Sequence, residues 1–199
     1  MKNVITLLIL LVSISSFSQD EKSTVLPDDI QIKTAVLAAP EDQKDGAMVY
    51  GYDKNGEMKV LREGSNYMVC LADDPSKEGI QVACYSKKLE PFMARGRELK
   101  AEGKSEVEKR QTREKEAKDG TLEMPDAPST LYILSGSEEN YNTANGELKD
   151  GKFRYVIYIP YATAESTGLA TKPEAPGMPW IMEPGTHRAH IMITPISNK

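Results

Sequence analysis

Apolar residues recur along this chain with two different periods, and the switches between them lay out the elements. Pro27-Asp28-Asp29 offers a helix start, Ile32, Ala35, Val36 and Ala39 then recur at helical spacing, and Pro40 stops the run, so a short amphipathic helix is predicted over Ile30 to Ala39. Alternating runs follow. Met48 to Asp53 and Glu57 to Arg62 flank Asn55-Gly56, the strongest short hairpin signal, and Gly64-Ser65 turns the chain into a second hairpin, Tyr67 to Ala72 and Ile80 to Tyr85. Four consecutive antiparallel strands are expected. From Leu89 the period becomes 3.6, with Leu89, Phe92, Met93, Gly96 and Leu99 or Lys100 on one stripe that ends at Gly103. Ser105, with Glu108 three residues on, caps a further helix to about Lys118, whose lack of an apolar face beyond Val107 and Ala117 puts it on the surface.

Thr130 to Leu134 and Phe153 to Ile159 are near-continuous apolar runs rich in β-branched and aromatic residues, as central strands are, and Ala189 to Thr194 is a last strand. There is no internal repeat. The pattern predicts an α+β fold: a mostly antiparallel sheet of about six or seven strands with two or three helices, those at Ile30 to Ala39 and Leu89 to Lys100 packed on one face.

The N-terminus carries a third pattern. Lys2 precedes an apolar and hydroxyl run, Val4 to Phe17, with Ser16 and Ser18 at the −3 and −1 positions of a cut before Gln19. This is the layout of a cleaved export signal, so residues 1–18 are read as signal peptide, 19–26 as a polar leader and 27–199 as a single domain. The run is shorter than the ~20 apolar residues that span a bilayer, and no later stretch approaches that length, so no membrane span is expected after cleavage. The implied location is periplasmic or secreted.

Export changes how the two cysteines are read, because thiols pair in an oxidising compartment. Cys70 and Cys84 are equidistant from Lys77 in the turn Asp73-Asp74-Pro75-Ser76-Lys77-Glu78-Gly79, so a symmetric hairpin sets them opposite each other, and a structural disulfide is expected. Alternation puts Met68, Cys70 and Ala72 on the same face as Ile80, Val82 and Cys84, and that face is wholly apolar.

Charge removes one class of partner. Without Lys2 the exported chain has 24 basic against 30 acidic residues, net −6, and the basic residues of the surface helix alternate with Glu106, Glu108, Glu114 and Glu116, with no aromatic to stack a base. No nucleic-acid partner is expected. Nucleotide and covalent hydrolase motifs are also missing: Gly103-Lys104-Ser105 lacks the first P-loop glycine, Glu98 standing there, and no Gly-x-Ser-x-Gly elbow exists. Asn140, Asn142, Asn145 and Gly146 lie in a long acidic loop, Gly136 to Gly151, that lacks the alternating ligand pattern of a calcium site and reads as a surface loop.

The two histidines, His187 and His190, sit just after Glu183-Pro-Gly. His-x-x-His with a nearby carboxylate is a minimal set for zinc, although residues three apart face opposite ways in a strand, so convergence requires His187 to remain in the turn. No cofactor is expected, zinc being the one metal these residues suggest. The segment Tyr161 to His190 is too long for a simple connection, and four prolines stiffen it around Trp180, the only tryptophan. The ligand-binding candidates are therefore Trp180, Glu183, His187, His190 and Tyr161, with Trp180 and His190 expected to face one concavity together with Glu183 or Tyr161. The alternative is an irregular crossover covering one end of the sheet.

Several fragments together resemble a diffuse family of short exported bacterial proteins of unknown function: the helix ending Ala38-Ala39-Pro40, the hairpin from Ala47 through Arg62-Glu63-Gly64-Ser65-Asn66 to Cys70, the second cysteine, Leu131-Tyr132-Ile133-Leu134, and Pro184-Gly185-Thr186 followed by His190-Ile191-Met192-Ile193. Such relatives often carry a proline and a histidine entering the strand written here Phe153-Arg154-Tyr155-Val156, where this chain has no histidine. The resemblance supports export and implies no activity. The function expected from the sequence is a non-catalytic exported module binding a small molecule, glycan or envelope partner near the Pro-rich segment. The rival is a small metal-dependent hydrolase using His187, His190 and Glu183.

Overall fold

The computed structural model describes residues 25–196. Residues 1–18, read from the sequence as an export signal, leader residues 19–24 and the last three residues lie outside the described residues. The first helix, α1 (Asp28–Ala35), starts where the Pro27 carbonyl accepts from the Ile30 and Gln31 amides, and a 3-10 turn, Val36–Ala38, carries it to its stop before Pro40. Four strands follow: β1 (Met48–Tyr52), β2 (Met58–Arg62), β3 (Met68–Leu71) and β4 (Ile80–Ser86). Helices α2 (Glu90–Ala101) and α3 (Glu106–Asp119) come next, α3 opening on the expected Ser105/Glu108 capping box and closing at Gly120 in the left-handed conformation. The rest comprises β5 (Ser129–Gly136), β6 (Tyr141–Asn142), β7 (Glu147–Leu148), β8 (Lys152–Tyr158), the single-turn α4 (Ala164–Thr167), β9 (Trp180–Met182) and β10 (His190–Ile193).

Eight strands form one sheet in the order β2-β1-β3-β4-β5-β8-β10-β9, while β6 and β7 make a separate two-stranded ribbon. The α+β, mostly antiparallel class is therefore as read from the pattern. Two details differ. The first four strands are not a simple antiparallel run, because β3 lies on the far side of β1 from β2 and pairs with β1 in parallel. The polar β2, with Lys59 and Val60 exposed, is left at the sheet edge, and the wholly apolar cysteine hairpin takes the interior. The chain crosses the start of β1 to do this. Gly64 makes the crossing possible, since a Cβ there would lie 2.7 Å from the Met48 amide nitrogen. The Gly46 carbonyl then anchors the crossover by accepting from the Ser65 (2.8 Å) and Asn66 (3.1 Å) amides.

The second difference concerns the layers: α1 and α2 cover opposite faces of the sheet. Met68, Cys70, Ala72, Val82, Cys84 and Leu134 pack with Ala35, Ala38 and Ala39 of the α1 arm, whereas Val69, Tyr85, Leu131, Val156 and Tyr158 pack with Leu89 and Phe92 of the α2 arm. The expectation of one shared face overlooked what continuous apolar strands require, since residues of both parities must be covered. Helix α3 lies beside α2, where Arg95 reaches Glu116 at 2.8 Å and the Arg113 guanidinium sits 4.2 Å from the centroid of the Phe92 ring.

Cys70 and Cys84 are direct partners across β3 and β4, are fully buried, and form the expected disulfide. No described helix is long and apolar enough to cross a membrane.

Candidate functional site

The histidine segment docks the last strands onto α3. His187 is 1% exposed, and its Nδ1 donates to the Glu114 carboxylate of α3, which also accepts from the His187 backbone amide at 3.3 Å. Burial pushes the imidazole pKa below its ordinary value, so the ring is neutral at physiological pH, and among the described residues Nε2 has no hydrogen-bond partner. Burial pushes the Glu114 carboxyl the other way, but hydrogen bonds from Lys118 and His187 prevail and hold it at about 2. His190 is buried on β10 with its ring 5.3 Å from that of Tyr158, and its Nδ1 donates to the Arg188 carbonyl at 2.7 Å.

Glu183 turns to arginines instead of histidines: its Oε1 lies 3.4 Å from Arg188 Nη1 and 3.7 Å from Arg110 Nη2. Tyr161 is 42% exposed at a left-handed turn residue whose amide donates to the Thr186 carbonyl. Trp180 pairs with Met192 across β9 and β10, two residues along the strand from His190, so the two side chains share one face of the sheet. The tryptophan lines an open groove of about 460 Å³ with Pro173, Pro176, Met178, Pro195 and Ile196, which His190, Glu183, His187 and Tyr161 do not touch. The structure thus gathers His187, Glu183 and Arg188 around α3, and the groove at Trp180 does not include His190 in its lining. Among the described residues, no three His, Cys, Asp or Glu side chains are placed to hold a metal ion.

A second cleft, of about 430 Å³, lies at the other end of the sheet and has the more varied lining. Its apolar wall is Val25, Leu26, Ala72, Pro75 and Ile80, and its polar groups are Asp73, Glu138, Tyr141, Thr34, Gln31, Lys77 and Thr143. Three elements converge there. Helix α1 supplies Gln31 and Thr34, the β3–β4 turn supplies Asp73 to Gly79, and the β6–β7 ribbon supplies Tyr141 and Thr143. Cross-links hold them in place: Thr34 Oγ1 and Tyr141 Oη are 2.7 Å apart, and Glu138 Oε1 accepts from the Gly79 amide at 3.0 Å. Gln31 is spent on the scaffold, donating to the Leu26 and Tyr52 carbonyls and accepting from the Tyr52 amide. In the ribbon, the Asn142 and Asn145 side-chain oxygens accept from the Ala144 and Glu147 amides, so they shape the turn.

Asp73 is the perturbed group of the cleft. Burial raises its carboxyl to about 6, the Gln81 amide opposes the shift, and the Asp74 and Glu138 carboxylates add to it. Its neighbour behaves oppositely, since at Asp74 the effect of burial is outweighed by hydrogen bonds from Lys100 and Ser76, which bring it to about 2. A raised folded pKa means that the native state binds more protons than the unfolded chain between about pH 4 and 6, so stability from Asp73 falls as pH rises through that window. Asp73→Asn, which keeps an acceptor for the Gln81 amide, is therefore expected to stabilise the protein at pH 7.5 by about 1 kcal/mol after allowance for solvent screening. The same substitution should have little effect at pH 3, where Asp73 is mostly protonated in the folded and the unfolded chain. Paired thermal melts at the two pH values check this, and equal shifts would contradict it.

The sequence missed this cleft because Asp73-Asp74-Pro75 reads as turn chemistry and Tyr141 as part of a polar loop. A signal was present, in that two adjacent acids flank an apolar hairpin, but only the fold brings Thr34 and Tyr141 to them. No protein-family model, curated protein or solved structure matches this chain, so the site is read from its own geometry.

Proposed function

We propose that this protein is an exported binding module for a small organic molecule, held in the cleft between α1, the β3–β4 turn and the β6–β7 ribbon. The observation that carries the reading is the cleft itself: about 430 Å³ of space, mostly apolar walls, and a few polar groups that converge on it. Ligand sites commonly have that size and mixture. Its parts are pre-positioned, because the disulfide lies at the base of the β3–β4 turn and the Thr34–Tyr141 hydrogen bond ties α1 to the ribbon. A site built in advance avoids the ordering cost of assembling on binding. An intramolecular disulfide is also consistent with a periplasmic or secreted location. The hydrolase alternative lacks such support, since Glu183 faces two arginines while His187 and His190 are occupied by Glu114 and the Arg188 carbonyl.

A thermal-shift screen of a mixed library of small amines, acids, alcohols and sugars tests the reading, with two variants alongside. Thr143→Trp places an indole at the exposed mouth of the cleft, and Trp180→Ala removes the aromatic wall of the other groove. Ligands should raise the melting temperature of the native protein and of Trp180→Ala but not of Thr143→Trp. Shifts that depend on Trp180 and ignore Thr143→Trp would move the site to the Pro-rich groove. The absence of any Thr143-sensitive shift would count against the cleft.

A further inference from the structure

We infer that the cleft's ligand is an organic ammonium compound, a carbon skeleton ending in a protonated amine, with the amine held between the Asp73 and Glu138 carboxylates. This inference rests on the reading of the cleft as a ligand site and deepens it.

Hydrogen-bond capacity decides the class. Asp73 Oδ1 accepts from the Gln81 amide at 2.7 Å and Glu138 Oε1 from the Gly79 amide at 3.0 Å, so each carboxylate keeps one oxygen without a partner among the described residues. Thr34 has one hydroxyl hydrogen, and the Ile30 carbonyl 2.9 Å away and the Gly146 carbonyl 3.4 Å away can only accept it. With that hydrogen given to a carbonyl, Tyr141 gives its own hydrogen to Thr34, which leaves the phenol oxygen as an acceptor. Gln31 has no spare hydrogen. The two carboxylates and Tyr141 therefore offer acceptors, Asp73 half-buried and Glu138 exposed, while the free donors, Lys77 and the Thr143 hydroxyl, are exposed at the mouth. A ligand that satisfies this arrangement brings several N–H donors and a positive charge, as an ammonium does. A hydroxyl brings one donor and no charge, and carboxylates would face two like charges.

Charge and shape agree. Three carboxylates, Asp73, Asp74 and Glu138, meet Lys77 and Lys100, and Lys100 is committed to Asp74 at 2.7 Å while Lys77 is 3.9 Å from the same oxygen. Among the described residues neither Asp73 nor Glu138 forms an ion pair, Lys77 acting on Asp73 only from a distance. The wall of Val25, Leu26, Ala72, Pro75 and Ile80 suits an alkyl or aryl chain behind the amine. The groups that face Asp73 are Asp74 and Lys77 of its own turn, Glu138 before the ribbon, Tyr52 of β1 and Tyr141 of β6. Both tyrosines are held above their ordinary pKa by burial first, so they stay neutral across the working range. With its carboxyl raised to about 6, Asp73 is the group that changes charge between pH 7.5 and 5.

Hexylamine and phenethylamine, each compared with the alcohol and carboxylate of the same skeleton, test the inference by titration calorimetry on the purified protein. The amines should bind at least about tenfold more tightly than their partners at pH 7.5 and weaken about tenfold at pH 5, because roughly one molecule in ten keeps Asp73 ionised there. Asp73→Asn should cost about tenfold or more at pH 7.5 and abolish the pH step, with Glu138→Gln costing several-fold and keeping the step. Thr143→Trp should abolish binding. Alcohols or carboxylates that bind as well as the amines, in a manner lost in Thr143→Trp, would overturn the ammonium class and leave the cleft standing. Amine binding indifferent to both Asp73→Asn and Glu138→Gln would overturn it too, and since the asparagine variant is expected to be the more stable protein, a loss of affinity there is not loss of fold. A panel in which nothing binds in a Thr143-sensitive way would defeat the cleft and the ammonium together.

Discussion

Replacing both Cys70 and Cys84 with alanine is expected to cost about 3 kcal/mol of stability, on the scale of chain entropy released by opening a loop of this length. The two sulfurs bridge residues 14 apart in sequence and lie at 0% exposure. The sulfur of Cys84 is 3.3 Å from the Ala35 carbonyl, so the crosslink is sealed under the α1 arm. Two consequences separate the bridge from simple packing. A reductant added to the unfolded protein should lower the refolded stability of the native sequence by a similar amount and leave the double alanine variant unchanged. Thiol titration of unfolded, unreduced protein should find no free thiol, and two per chain would contradict the bridge. The turn that this bridge closes carries Asp73, Pro75, Lys77 and Gly79 of the cleft, so the variant should also bind ligand more weakly. A denaturant midpoint equal to that of the native protein would show that the bridge adds nothing.

The cysteine hairpin was legible because every term that fixes it is local. The turn length, the symmetry about Lys77 and the apolar parity of Met68, Cys70, Ala72, Ile80, Val82 and Cys84 all specify one register, and that register is observed. The helix caps were legible for the same reason. What escaped were contacts between distant segments. The parallel pairing of β1 with β3 depends on Gly64 passing over Met48, and nothing near either residue announces it. Trp180 reads as loop because its prolines precede it, whereas three residues from Trp180 to Met182 find an open edge on β10. The cleft is the extreme case. Thr34 and Tyr141 are 107 residues apart, and a local reading treats one as a helix interior residue and the other as part of a surface loop.

Glu114 shows the same limit on the other face and supports the second large prediction. In the sequence it is one of four acids on a solvated helix, and ion pairs do form along that helix, Lys118 with Glu114 at 2.8 Å and Lys109 with Glu106. Yet Glu114 also accepts from the ring and the backbone amide of His187, fixing residues 183–189 to α3. Glu114→Ala would leave a ring at 1% exposure with neither nitrogen hydrogen-bonded, since Nε2 already has no partner among the described residues. Stranding a buried polar group in this way costs about 2–3 kcal/mol. Glu114→Gln retains an oxygen that can accept from Nδ1 and should cost about 1 kcal/mol, the difference isolating the orphaned ring from the lost charge. Acid should act on the same contact. His187 has a lowered folded pKa, so stability declines as pH falls below about 6.5, the ordinary histidine value, because the unfolded chain takes up the proton first. Glu114, held at about 2, contributes stability above the ordinary carboxylate range that is lost as pH falls from about 4.3 towards 2. Glu114→Ala removes the second of these windows and, by withdrawing the carboxylate that raises the His187 pKa, deepens the first, so its stability should fall further than that of the native protein across the histidine range and fall less below about pH 4.3. Hydrogen exchange should rise in residues 183–189 of the alanine variant, while the β3–β4 turn, at the far end of the sheet, keeps its native protection. Unchanged exchange in that segment, with a stability loss under about 0.5 kcal/mol, the scale of an ordinary surface substitution, would show that Glu114 is no more than another charge on a solvated helix.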